Sequence, residues 1–263
     1  MPREWLDVSQ YSFNSLLLLE RVQLSWLPGW LPETDLQIAL RANPAVEWYL
    51  RHKCPQINDW LDQTMSVSHE AGSDSPTRIR QAEANVLTSM TDLLIYATDP
   101  AVYDAQPFLN WDATELLSLT DFTGKTVIDV GAGTGKLSLL VAEMACSVFA
   151  VEPVTNLRIY LKTKARARHI NNVYTLDGLI TDIPFPDRFA DISMAGHVFG
   201  DDLEMEYNEL ARVTKPGGML ILCPGNNDVD NKTHKFLIEH NFEWSRFEEP
   251  RDGIKRKYWK TIA

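Results

Sequence analysis

"TVIDVGAGTGKLS", from Thr126 to Ser138, is the stretch whose reading decides the fold. A short apolar run containing one acid, Asp129, falls into three alternating glycines, Gly131, Gly133 and Gly135, and re-emerges as a helical pattern. Glycines in a strand-to-helix loop let the backbone come close to a ligand, and the amides that open the helix are donors without partners of their own. Three ligand classes use such a loop. A nucleoside-triphosphate loop needs G-x-x-x-x-G-K-[ST], but Val130 stands where its first glycine belongs and Leu137 where its hydroxyl belongs. A dinucleotide loop needs G-x-G-x-x-G. Gly131 and Gly133 fit, but Lys136 occupies the third position and the glycine comes one residue early.

Outward from the loop, the chain divides into two halves. Residues 121–263 alternate strands with helices, the pattern of a parallel sheet covered on both faces. "TVIDV", "SVFAVE", "NVYTL", "ADISMA" and "MLILC" read as strands, the last after a turn in "KPGG". "KLSLLVAEMA", "NLRIYLKTKARA" and "DDLEMEYNELARVT" read as the helices between them, and "FEWSRFEE", "PRDG" and "IKRKYWKTI" as a closing antiparallel hairpin. The expectation is an α/β, doubly wound, mostly parallel seven-stranded sheet. Residues 1–120 show helical patterning and hold six of the eight tryptophans, Trp5, Trp26, Trp30, Trp48, Trp60 and Trp111. Gly72 to Ser75 read as a loop, and Ser75–Pro76 opens one long helix through "TRIRQAEANVLTSMTDLLIYA", with Asn43–Pro44 opening another. This half is expected to be a helical cap over the carboxyl ends of the strands, where open α/β sheets bind ligands. Tyr103, Phe108, Trp111 and Asp112 would close over the site, unless these aromatics serve as core.

The run apolar-Asp-Val-Gly-x-Gly-x-Gly resembles the first motif of the class I S-adenosylmethionine-dependent methyltransferases, and of their small-molecule "type 11" group in particular. The resemblance extends over about half the chain, from residue 126 to about 262. Glu152 closes the second strand twenty-one positions after Gly131, "DIPFPDRFADISMA" looks like the family's passage from third strand to fourth, and "ELARVTKPGGMLIL" looks like its helix, turn and fifth strand. The resemblance implies S-adenosyl-L-methionine as cofactor. Asp129, Gly131, Gly133 and Gly135 would meet its methionine part, Glu152 its ribose, and Asp177, Gly178 and Leu179 its adenine side, with Ala132, Pro153 and Ala195 completing the expected cofactor-binding residues. Two departures stand out. The family's acid five residues before the proline of "LPF" is replaced by Leu179, leaving Asp177 or Asp182 as substitutes. The family's "LHH" after the fourth strand is replaced by "GHVFG", which leaves His197 alone.

A sulfonium methyl is already activated, so placing the nucleophile opposite sulfur supplies much of the rate. A base is needed only when the acceptor carries a proton at neutral pH. His197, just past a strand, is the candidate base, with a packing role as its alternative. Cys223 ends the fifth strand where some RNA cytosine methyltransferases hold a nucleophile, but "SMAGH" lacks the supporting motif, and a buried strand cysteine is the plainer reading.

Composition narrows the class. A net charge of −11 argues against a nucleic-acid partner, since that affinity comes from lysine and arginine on phosphates. Cys54, Cys146 and Cys223 are dispersed and odd in number, as in a reducing compartment, with neither disulfide framework nor metal site. The early apolar run Leu16–Leu19 is too short for a signal peptide or a membrane span, so the cytoplasm is expected. The resulting expectation is a methyltransferase acting on a small molecule. A catalytically silent cofactor-binding protein and an NAD-type oxidoreductase are the alternatives, and acceptor, pathway and oligomeric state stay open.

Overall fold

The computed structural model describes residues 6–66 and 75–263. Trp5 and the expected loop residues Gly72, Ser73 and Asp74 lie outside them. The chain divides into two compact units, Met1–Tyr103 and Asp104–Ala263.

The first unit is helical throughout its described residues. Its longer helices are Glu33–Ala42, Pro44–Lys53, Asn58–Ser66, Pro76–Ser89 and Thr91–Thr98. Leucines 16, 24, 36, 40, 50, 61, 87 and 94 are buried together as its core. Ser75 caps the fourth of these helices, its hydroxyl accepting from the Arg78 amide, and Pro76 sits where a missing N–H costs nothing. The single long helix expected here is two helices. Met90 leaves the helical region at φ −123° and ψ 23°, and its buried side chain joins the core at the break. Buried Gln23 and Gln37 donate to the carbonyls of Leu93 and Thr64, tying distant segments together.

The second unit is a seven-stranded sheet in the order β3-β2-β1-β4-β5-β7-β6. The strands are β1 Thr126–Val130, β2 Ser147–Val151, β3 Val173–Leu176, β4 Ala190–Ala195, β5 Thr214–Asn227, β6 Glu243–Glu249 and β7 Gly253–Thr261. β1 to β5 are mutually parallel, and β7 runs antiparallel between β5 and β6. Buried strands of this kind read as near-continuous apolar runs, and Val127, Ile128 and Val130 in β1 and Leu220, Ile221 and Leu222 in β5 are all buried. Helices Lys136–Val141, Thr155–Ala167 and Leu203–Val213 make the crossovers.

Three details differ from the sequence expectation. The "KPGG" turn lies inside β5 as an irregularity, where β4 advances from Ala190 to Ile192 while β5 advances from Thr214 to Met219. A helix, Lys232–Glu239, precedes the hairpin, capped by Asn231 through the His234 amide. Residues 104–120, placed with the helical half on sequence grounds, belong to the second unit. Trp111 meets Phe247 of β6 edge-on at 5.6 Å, and buried Leu116 joins the same core. No described helix is long and apolar enough to cross a membrane.

Candidate active site

Strand order reverses between β1 and β4, and in open sheets of this kind the crevice beyond the carboxyl ends of two such strands receives ligands. Val130 and Ala195 are paired neighbours at those ends. The loops that leave these two strands are therefore delivered to one edge.

The glycine loop leaves β1. Amides of Gly131 and Ala132 both donate to the Val151 carbonyl, turning the chain back over β2. Gly131 has φ +68°, and a Cβ there would lie 2.5 Å from the Val198 side chain. Gly135 has φ +86°, and a Cβ there would lie 2.7 Å from Leu161 of the next helix. Both positions are thus restricted twice, by backbone conformation and by space. Gly133 also has positive φ, and its amide donates to Glu152 Oε2 at 2.9 Å. Ala132 and Ala195 are buried.

Two carboxylates are buried here. Asp129 is 1% exposed. Its Oδ2 accepts from Ser138 Oγ at 2.5 Å, while its Oδ1 has no hydrogen-bond partner among the described residues. Burial pushes its carboxyl up to about 7, opposed by the Ser138 hydrogen bond and reinforced by the nearby charge of Glu152. Glu152, 5% exposed, stands just past β2 and spans two turns of chain, accepting from Gly133 through Oε2 and from Val154 through Oε1, each at 2.9 Å. Pro153 lies between them, half-buried.

Beyond β3 the acid Asp177 is largely exposed at its side chain and pairs with Arg158 at 2.9 Å. Arg158 also donates to the Glu152 carbonyl at 2.6 Å and to Thr155 Oγ1, so one guanidinium ties the ends of β2 and β3 together. Gly178 lies where a Cβ would meet Pro184 and Val151 at 2.7 and 2.8 Å. Leu179 and Asp182 exchange backbone hydrogen bonds as a tight turn with Ile180 and Thr181 at its tip. With those two tip residues set aside, Asp177 stands at the fifth position before Pro184. Leu179, at the place of the family's acid, thus opens a tight turn that Asp182 closes. Asp182 is exposed.

His197 lies just past β4 in the left-handed region at φ +63°. Its amide donates to the Pro224 carbonyl, and its Nε2 is 2.7 Å from Glu249 Oε1. Phe108 approaches the imidazole edge-on at 5.8 Å between centroids. The other expected lid residues separate. Trp111 is core with Lys136 Nζ 5.3 Å over its ring, Asp112 caps the Thr114 amide, and Tyr103 falls in the helical unit. Cys223 is buried in β5 and its thiol is pushed by burial up to about 12, which keeps it protonated at neutral pH.

Sequence reasoning missed three contributors: Arg158, Glu249 and Lys164, whose ammonium pairs with Asp104 and donates to the Thr134 carbonyl inside the glycine loop. Arg158 and Lys164 both lie on the helix after β2, but six positions apart they do not share one helical face, and the sequence pattern does not single them out. Glu249 lies in the hairpin, and only the fold brings it to His197.

The site's donors and acceptors fit S-adenosyl-L-methionine. An orphaned buried carboxylate oxygen matches its ammonium, a second buried carboxylate at the end of β2 matches its ribose, and loop glycines leave room for close approach.

Comparison with known proteins bears on the family. Residues 128–222 match a family described as "Methyltransferase domain". The chain is 30% identical over 120 residues to the demethylmenaquinone methyltransferase of Geobacillus kaustophilus, a match covering 43% of this chain and 50% of that protein. It is 32% identical over 107 residues to an uncharacterized methyltransferase of Mycobacterium tuberculosis, covering 40% of this chain and 41% of that one. The chain thus spans about half the length of the curated relatives it matches first. Among solved structures, a SAM-dependent methyltransferase from Aquifex aeolicus superposes with a TM-score of 0.50 at 20% identity, over 63% of this chain and 99% of that one, and shares its fold.

Proposed function

We propose that the chain is a class I, S-adenosyl-L-methionine-dependent methyltransferase that methylates a small-molecule acceptor, a reading supported by the match of residues 128–222 to the methyltransferase-domain family. The cofactor, when bound, supplies an electrophilic methyl carbon on a sulfonium. The reading rests above all on Asp129 Oδ1, a buried carboxylate oxygen at the mouth of the glycine loop without a hydrogen-bond partner among the described residues. An unpaired buried acceptor is costly, and a ligand ammonium answers it directly.

In this reading Asp129 holds the ammonium end, the loop from Gly131 to Gly135 lies along the methionine chain, and Glu152 accepts from the ribose hydroxyls. Pro153, Asp177, Gly178, Leu179 and Ala195 line the adenine side, with Asp177 as acceptor for the ring amino group. Helical residues 6–66 and 75–103 carry acceptor selection. Relatives named for demethylmenaquinone support a finer reading, an acceptor of quinone or quinol type. The dinucleotide alternative gains no support, because Lys136 and not glycine opens the helix after the loop.

Calorimetry tests the cofactor. S-adenosylhomocysteine should bind far more tightly than NAD or ATP, and Glu152→Ala should weaken it by about tenfold or more, since hydrogen bonds to charged groups contribute about 1.5–3 kcal/mol each. A preference for NAD sinks the reading. Unchanged affinity in a folded Glu152 variant removes that residue from the ribose site.

A further inference from the structure

Glu249 is an anomaly on the sheet. It is the last residue of β6, an edge strand on the far side of β5 and β7, yet its side chain is wholly buried. Burying a carboxylate is costly unless its oxygens are partnered, and an apolar residue of similar volume would be cheaper if only packing mattered. One oxygen is 2.7 Å from His197 Nε2. The other accepts no well-directed hydrogen bond. Its nearest cation, Lys255 Nζ, is 3.4 Å away and lies closer to Asp252 at 2.6 Å and to the Asn227 side chain. Lys255 is therefore largely committed elsewhere, and the directed partner of Glu249 is the imidazole.

Resting on the methyltransferase reading, we infer that Glu249 is the positioning residue of a His197 base, and that the acceptor carries a hydroxyl acidified by conjugation, a phenol or an enol. The carboxylate accepts the Nε2 proton and so leaves the lone pair on Nδ1, which has no hydrogen-bond partner among the described residues. The His197 backbone at φ +63°, its amide bond to Pro224 and the Phe108 edge fix the ring, and the next residue, Val198, packs against Gly131 of the glycine loop. A held base matters for some acceptors only. Amines in their neutral form already present a lone pair, and thiols with a pKa of about 8.5 are partly ionised near neutrality. A phenol, with tyrosine's value of about 10 as gauge, stays protonated at neutral pH yet lies within reach of imidazole. The step balances simply. The acceptor O–H bond breaks and its proton goes to Nδ1. The oxygen uses its pair to bond the methyl carbon, the carbon–sulfur pair returns to sulfur, and Nδ1 later releases the proton to water.

The test uses full-length protein with 15N-labelled histidine and saturating S-adenosylhomocysteine at mildly alkaline pH. Catechol and its isostere 1,2-diaminobenzene serve as probes, and Glu249→Gln and Glu249→Asp as variants. His197 should occupy the Nε2–H tautomer in wild type, and catechol but not the diamine should shift its Nδ1 resonance. Glu249→Gln should mix the tautomers and lower kcat for methyl transfer to catechol by about 10- to 100-fold. Its S-adenosylhomocysteine affinity should stay unchanged, and Glu249→Asp should recover part of both effects. A purely structural Glu249 would change thermal stability and leave the tautomer alone. If the homocysteine product binds but His197 shows the other tautomer, or Nδ1 ignores catechol, or the diamine alone is methylated, the inference is overturned and the methyltransferase reading stands. If neither probe is methylated, the Nδ1 resonance decides. Failure of S-adenosylhomocysteine to bind overturns the methyltransferase reading itself.

Discussion

Asp129 shows at one residue how stability and binding are set against each other. Its folded carboxyl lies near 7, against an ordinary 3.8, because burial disfavours the charge. A raised carboxyl means that the folded protein holds its proton more tightly than the unfolded chain. That contribution is fully present below about 3.8 and is lost as pH rises through about 7. Ligand-free protein should therefore lose the Asp129 contribution between about pH 4 and 7, and Asp129→Asn should remove that dependence. In thermal melts the variant should gain on wild type as pH rises to 8, and the two should converge toward pH 4. Binding should move the other way. An ammonium beside Oδ1 favours the ionised form, so wild-type affinity for S-adenosylhomocysteine should strengthen from pH 6 to 8 with release of protons, measurable by calorimetry in buffers of different ionisation enthalpy. The variant should bind about tenfold or more weakly, a loss of about 1.4 kcal/mol or above. A pH-independent wild-type affinity means that Asp129 does not meet the ammonium.

At the scale of elements, the loop between β1 and its helix is shaped by the residues just past β4. Gly131 combines a left-handed backbone with a Val198 side chain 2.5 Å from where a Cβ would sit. Gly131→Ala should destabilise by about 1–3 kcal/mol, and by calorimetric melting the double variant Gly131→Ala/Val198→Ala should recover the steric part while the φ strain remains. An equal cost of Gly131→Ala with and without Val198 means that backbone strain alone accounts for the glycine. The strands at this edge were legible in the sequence, because buried parallel strands write themselves as apolar runs ended by turn residues. The break at Met90 and the irregularity within β5 were not legible, since each is settled by packing across the fold and not by the local pattern. The same division holds in the site. Asp129 and Glu152 stand at strand ends fixed by local sequence. Glu249 reaches His197 through a pairing between residues fifty-two positions apart, which no window around either residue reveals.

At the scale of the molecule, each unit has a buried core of its own, the leucine cluster in Met1–Tyr103 and the clusters on the sheet faces in Asp104–Ala263. A chain of about 150 residues can bury enough surface to fold alone, and the Aquifex protein, matched over 99% of its length by 63% of this chain, has about the extent of the sheet unit. All groups proposed for the cofactor lie after residue 104, and the Lys164–Asp104 pair that braces the glycine loop lies within the same unit. A fragment beginning at Asp104 should therefore unfold in one cooperative transition and bind S-adenosylhomocysteine within about threefold of the full chain, a difference of about 0.7 kcal/mol. Acceptor turnover should fall much further, because selection of the acceptor is assigned to the helical unit. Calorimetric binding and methyl-transfer rates on the same fragment separate the two roles. Loss of cofactor binding in a folded fragment would put part of that site in the helices. Full turnover by the fragment would instead take acceptor selection away from them and assign it to the sheet unit, where His197, Phe108 and Glu249 already lie together.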